Sequence, residues 1–150
     1  MARMDLSTAA PEPYQAIGRT DAAIRTGPLE ATVRELVKIR ASQLNGCVYC
    51  VDLHVRELRG LGERQDRLDQ LPVWEESLLF DERERAALAY TEAVTLGPSV
   101  DEEVWRELCA RFPDEAERGH LVLQVALINA LNRLGVPLEM KPASRSGGAE

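Results

Sequence analysis

Apolar positions recur at helical spacing through most of the chain, and the residues between them read as caps and stops. Leu29, Val33, Leu36, Val37 and Leu44 step by 4, 3, 1 and 7, intervals that return side chains to one face of an α-helix. Tyr14, Ile17 and Ile24 do the same behind Pro11 and Pro13, which predicts a first helix ending near Gly27 and a second opening at Pro28. Asn45-Gly46 interrupts that second helix. A third is expected from about Cys47 to Gly60, and a short polar one from Glu63 to Leu71, stopped by Pro72. Asp81 with Glu84 has the spacing of a helix cap and its reciprocal acid, opening a helix through Ala86, Ala87, Tyr90, Ala93 and Val94 to Gly97-Pro98. Ser99 with Glu102 is expected to repeat the device for a helix that carries Val104, Trp105, Leu108 and Phe112 and stops at Pro113. Asp114 with Glu117 opens the last long helix, which reaches Gly135 and is apolar on most of its faces. Such a helix belongs at the centre of a bundle or at a subunit interface. Strand signals are nearly absent, so the expected fold class is all-α, with helices joined by short loops.

Composition narrows the functional classes. Of 150 residues, 45% are hydrophobic and 29% charged, ordinary globular usage, and a chain of this length buries roughly 70% of its unfolded surface without staples. One domain over 1–150 is expected, with a core of about 11–137 and a tail at 141–150 containing Ser144-Arg145-Ser146-Gly147-Gly148. Lys and Arg number 18 against 25 Asp and Glu, a formal charge of −7, which disfavours a nucleic-acid partner because phosphate binding rests on cations. The most apolar segment, Leu121 to Leu131, is broken by Gln124 and Asn129 and falls short of the about 20 residues that span a bilayer. No membrane partner is expected. Met1 to Pro13 lacks the apolar run of about 7–15 residues that a secretion signal requires, so the expected location is the cytoplasm.

Three cysteines in such a chain turn attention from disulfide frameworks to redox or metal chemistry. Cys47 and Cys50 are three apart at the start of a predicted helix, on one face and close enough to bridge, where the exposed N–H groups and the macrodipole favour a thiolate. His54 follows Cys50 by four, which places its imidazole one turn along, in reach of the Cys50 sulfur directly or through one water. A thiol, a base and a second thiol to resolve it are the parts of a cysteine peroxidase or dithiol oxidoreductase. Against this stands the reading of two small buried cysteines with no chemistry. Zinc is the sharper competitor, since Cys, Cys, His and Glu all ligate it, but a closed structural site draws ligand pairs from two knuckles and only one pair exists here. No metal and no cofactor are expected. A thioredoxin-like motif would follow a strand, and none precedes Cys47.

Glu35, then Cys47-Val48-Tyr49-Cys50 and His54, reproduce the E-x11-C-x2-C-x3-H pattern and resemble the alkylhydroperoxidase D (AhpD)-like branch of the carboxymuconolactone decarboxylase superfamily, short single-domain type. The resemblance extends to Glu35 through Gly46, to Asp81-Glu-Arg-Glu-Arg-Ala-Ala-Leu-Ala-Tyr-Thr-Glu-Ala and to Ile128-Asn-Ala-Leu-Asn-Arg133, spanning most of Pro11 to Pro137. It implies an all-helical AhpD-like bundle, a homo-oligomer (trimer or hexamer), and reduction of a small-molecule hydroperoxide by the dithiol with a Glu–His proton relay, at the expense of an unknown dithiol reductant. Carried over, Cys50 is peroxidatic, Cys47 resolving, His54 the base and Glu35 the relay acid. Family members with established peroxidase activity tend to carry a second His where Tyr49 stands; a phenol there can support by donating a hydrogen bond but is no base near neutral pH.

Two other functions compete: a non-enzymatic redox sensor or interaction module switched by Cys47–Cys50 oxidation, and a lyase of the carboxymuconolactone decarboxylase type, which the paired cysteines count against. The alternative for Glu35 is a surface carboxylate paired with Lys38 or Arg34. Cys109 and His120 read as a small core or interface residue and a partly exposed first-turn residue, Trp74 and Trp105 as packing anchors.

Overall fold

A computed structural model describes residues 2–143; the expected tail lies outside the described residues from 144 onward. The elements are α1 (Leu6–Ala9), α2 (Pro11–Arg25), α3 (Ala31–Asn45), α4 (Val48–Gly60), α5 (Gln65–Gln70), a 3-10 turn (Leu71–Val73), α6 (Glu82–Leu96), α7 (Glu102–Arg111) and α8 (Glu115–Gly135). The fold is all-α, with no strand among the described residues. No helix among them is long and apolar enough to cross a membrane.

Local chemistry accounts for most boundaries. The Glu84 N–H donates to Asp81 Oδ1 and the Asp81 N–H to Glu84 Oε2, both at 2.9 Å, the reciprocal cap expected at the start of α6. Three expectations need correction. Ser99 does not cap α7: Asp101 holds the cap position in extended backbone, without a side-chain hydrogen bond. At α8 Asp114 is the cap, but it accepts from Ala116 N at 2.9 Å, while Glu117 pairs with Arg83 at 2.6 Å instead of closing a box. The second long helix starts at Ala31 rather than Pro28, because Leu29, 3% exposed, is anchored in the core from the loop. One helical turn, α1, had no apolar signal; Asp5 makes it, accepting from Ser7 N, Ser7 Oγ and Thr8 Oγ1.

The central helix is α3, which packs against α4, α6 and α8. Nine of its fifteen residues are buried, among them Arg34, Glu35 and Lys38. Helix α8, expected at the centre of a bundle or at a subunit interface, lays one face on α3 and leaves Leu123 56% exposed on the other. Apolar clusters form on either side of α3, one around Val33, Val37, Leu108, Phe112, Leu121 and Val125, the other around Leu36, Ile39, Leu58, Leu71, Trp74 and Leu88. Trp74 is a buried anchor whose Nε1 donates to Glu92 at 2.8 Å. Trp105 is 39% exposed and only tilts against the Tyr90 ring. A third, smaller cluster joins Ala41, Cys47, Cys50 and Ile128 at the α3–α4 turn against α8.

Candidate functional site

The turn at Asn45-Gly46 is what turns a helical CxxC into a site. Gly46 takes a left-handed conformation, φ 70°, which residues with a Cβ adopt at a cost. The chain thereby reverses, and Cys47 N–H donates back to Ser42 O at 3.0 Å. Asn45 Nδ2 donates to Asn129 Oδ1 and Asn132 Oδ1, each at 2.9 Å, and Asn132 Nδ2 to Ser42 Oγ at 3.0 Å. These amides pin the turn to α8; none is singled out as functional in the sequence, where Asn129 reads as a break in an apolar segment and Asn45 as the end of the second helix.

Cys47 is the cap residue of α4, its Sγ accepting from Cys50 N at 3.4 Å. Cys47 and Cys50 are bonded to each other as a disulfide, with Cα atoms 5.3 Å apart, while Cys109 is free. Both bridged residues are buried, Cys47 at 2% and Cys50 at 6% exposure.

Because α4 folds back along α3, Glu35 and His54 meet although 19 residues apart: His54 Nδ1 lies 2.9 Å from Glu35 Oε2. Glu35 is 1% exposed, so the surface-carboxylate alternative fails, yet the partners it proposed are both present. Arg34 Nε donates to Glu35 Oε1 at 3.2 Å and Lys38 Nζ at 3.3 Å. Lys38, itself 1% exposed, also reaches Asp21 Oδ1 of α2 at 3.3 Å. Burial alone would raise the Glu35 pKa; the His54 hydrogen bond, the Lys38 charge and the Arg34 hydrogen bond outweigh it and hold it at about 2. An ionised carboxylate only accepts, so the proton of a neutral His54 sits on Nδ1 and its Nε2 lone pair is left for other chemistry.

His54 and Cys50 line the same hollow, of about 170 Å³. Tyr49, Tyr14, Leu53 and Ile128 are among its other walls, and Cys47 is not. Of the five residues singled out in the sequence, the fold sets Cys50, His54 and Tyr49 on one hollow, holds Glu35 against His54 behind it and bonds Cys47 to Cys50. Among the described residues no group of three or more His, Cys, Asp or Glu is placed to hold a metal ion.

Gly135 was legible only as a helix stop. Its backbone lies against the disulfide: a Cβ there would stand 2.8 Å from Cys47 Sγ and 3.6 Å from Cys50 Sγ. Gly135→Ala is expected to destabilise the oxidised protein by about 1–3 kcal/mol through overpacking, measured as a lower Tm. Gly97→Ala is the comparison, since its Cβ would meet only Ala93 O at 3.8 Å; an equal loss in both variants would refute the close-approach explanation.

A family model, "Carboxymuconolactone decarboxylase family", matches residues 11–93 of this chain. The chain belongs to the carboxymuconolactone decarboxylase family. Among relatives of this family member, the uncharacterised protein YdfG of Bacillus subtilis (strain 168) is 34% identical over 138 residues, 91% of this chain and 93% of that one. A crystal structure from Agrobacterium tumefaciens, of unknown function and provisionally named the antioxidant defence protein AhpD, is 31% identical with a TM-score of 0.90, covering 96% of this chain and 100% of that one. The fold is shared more widely. An uncharacterised peroxidase-related protein of Ralstonia eutropha JMP134, described as an alkylhydroperoxidase AhpD core, superposes with a TM-score of 0.80 at 23% identity, covering 92% of this chain and 74% of that one. The chain is thus an AhpD-like member of the family.

Proposed function

We propose that this protein is a thiol-dependent peroxidase of antioxidant defence, reducing a hydroperoxide at the Cys47–Cys50 dithiol with a Glu35–His54 proton relay. One observation carries the reading: Cys50, bridged to Cys47, shares a hollow with an imidazole whose Nδ1 is held by a buried, ionised carboxylate.

In the reduced protein His54 Nε2 takes the Cys50 thiol proton, directly or through a water. The Cys50 thiolate attacks the terminal peroxide oxygen. An S–O bond forms, the O–O bond breaks, and the proton held by His54 passes to the departing alkoxide, releasing an alcohol. Cys47 then attacks the Cys50 sulfenic acid, forming the S–S bond and releasing water. Two thiols and a hydroperoxide become a disulfide, an alcohol and water. Tyr49, in the same wall, supports by donating a hydrogen bond to a peroxide oxygen. An external dithiol returns the disulfide to the reduced state by exchange. Cytoplasmic location and homo-oligomeric assembly belong to the same proposal, and the outward apolar residues of α8 and the turn after it, Leu123 and Val136, suit a subunit contact.

The test is peroxide consumption by the purified protein with a panel of dithiol reductants. Many turnovers per protein, dependent on reductant, support the peroxidase. A single stoichiometric oxidation would replace it by the redox sensor, and activity on a lactone-like acid without thiol dependence by the lyase.

A further inference from the structure

The hollow at Cys50 does not stand alone. A second, of about 250 Å³, shares Leu53, His54 and Leu131 with it and opens toward the charged side chains of Asp21, Arg25 and Glu57. A third, of about 520 Å³, shares Leu6 and Met140 with it and lies beneath the N-terminal segment with Arg3 and Asp5. Tyr14 of α2 is the single residue common to the walls of all three.

Cys50 therefore sits in the smallest of three adjoining spaces, with Tyr14 in the wall toward each of the two larger ones, while His54 borders the second space as well. The walls around Cys50 include no Asp, Glu, Lys or Arg, whereas both outer spaces carry such charged side chains. The Tyr14 side chain makes no hydrogen bond among the described residues, so packing alone holds the ring in that position.

We propose that the Tyr14 ring is a specificity-determining partition: it limits the organic group that can reach Cys50 and closes the apolar hollow from the charged spaces on either side. The partition rests on the peroxidase reading for its biological meaning, but not for its test. Size exclusion in an apolar pocket discriminates by about 10–200-fold, so trimming the ring has a measurable consequence. The hydroxyl plays no part in closing the hollow. Phe at this position is therefore expected to behave as wild type.

Two readouts separate failure of this proposal from failure of the peroxidase reading. The first is the ratio of kcat/KM for cumene hydroperoxide to that for hydrogen peroxide. Tyr14→Ala is expected to raise that ratio by about tenfold or more, and Tyr14→Phe to leave it unchanged. The second needs no turnover. In a Cys47→Ser, Cys109→Ser background, where Cys50 is the remaining thiol, the rates of alkylation by fluorescein maleimide and by iodoacetamide are compared. Tyr14→Ala is expected to raise the bulky-to-small rate ratio by the same order, again with no change for Tyr14→Phe. Tyr14→Leu, which keeps apolar bulk on α2, guards against misfolding of the Ala variant and should give an intermediate ratio. Equal acceleration of both reagents in Tyr14→Ala, or a Tyr14→Phe variant that behaves as Tyr14→Ala, would overturn the partition. If the alkylation ratio moves while no peroxide is turned over by any variant, the partition stands and the peroxidase reading falls.

Discussion

Cys50→Ser is expected to reduce peroxide turnover to the uncatalysed background, a loss on the order of 10⁴–10⁶-fold for removal of a catalytic nucleophile. Cys47→Ser should differ in kind: one equivalent of peroxide is consumed and a Cys50 sulfenic acid accumulates, because nothing resolves it. The two cysteines compete on physical grounds. The α4 dipole favours a thiolate at Cys47, which caps the helix and accepts from Cys50 N at 3.4 Å, but that term contributes typically about 0.3–1 kcal/mol. The imidazole acts from the other side, and a paired imidazolium lowers a thiol pKa by more than the dipole does. Access points the same way, since Cys50 lines the hollow with His54 while Cys47 lies against Gly135. Trapping with a sulfenic-acid reagent followed by peptide mass spectrometry reads the outcome. If Cys50→Ser forms a sulfenic acid at Cys47 at the wild-type rate, the roles are reversed and the dipole outweighs the base.

Replacing Glu35 should damage both stability and chemistry. Glu35→Ala leaves Lys38 and Arg34, 1% and 6% exposed, without their shared carboxylate, and removing one partner of a buried ion pair costs about 3–5 kcal/mol. Acid dependence gives a finer test. The Glu35 pKa falls from 4.5 to about 2 on folding, a depressed value, so its contribution is fully present above pH 4.5 and is lost as pH drops toward 2. At about 1.36 kcal/mol per pKa unit, the difference is worth about 3 kcal/mol at neutral pH. Urea unfolding of Glu35→Gln against wild type from pH 7 to pH 2 should therefore show curves that converge in acid. Parallel curves would mean that Glu35 is not the ionised centre of the cluster. Turnover should fall too, by up to about 10⁴-fold, the loss seen where the carboxylate that fixes a catalytic imidazole's tautomer is made an amide. The stability and turnover losses are separable, because Glu35→Gln keeps the shape of the side chain and can be assayed at pH 7 where it is folded.

What could be read along the chain was what depends on near neighbours. Helical spacing, the Asp81–Glu84 cap and the Asn45-Gly46 reversal all act within four residues, and the structure keeps each of them. The Cys47, Cys50 and His54 spacing is local in the same sense: one helix presents three positions to one side whatever surrounds it. Ser99 was misread because a cap depends on where the backbone turns helical, and Asp101 reaches that point instead. Everything that makes the cysteines a site is non-local. Glu35 reaches His54 only because α4 folds back along α3, and its low pKa depends on that hydrogen bond to outweigh burial, with the near neighbours Lys38 and Arg34 adding to it. Gly135 meets Cys47, and Asn129 and Asn132 meet Asn45, across more than eighty residues. Periodicity marks which face of a helix is buried but is blind to which helix will cover it. That is why α8, the more apolar helix, reads equally as a central helix or as a subunit interface, and only the tertiary structure puts α3 at the centre, with a buried Glu, Lys and Arg that mutual pairing makes tolerable there.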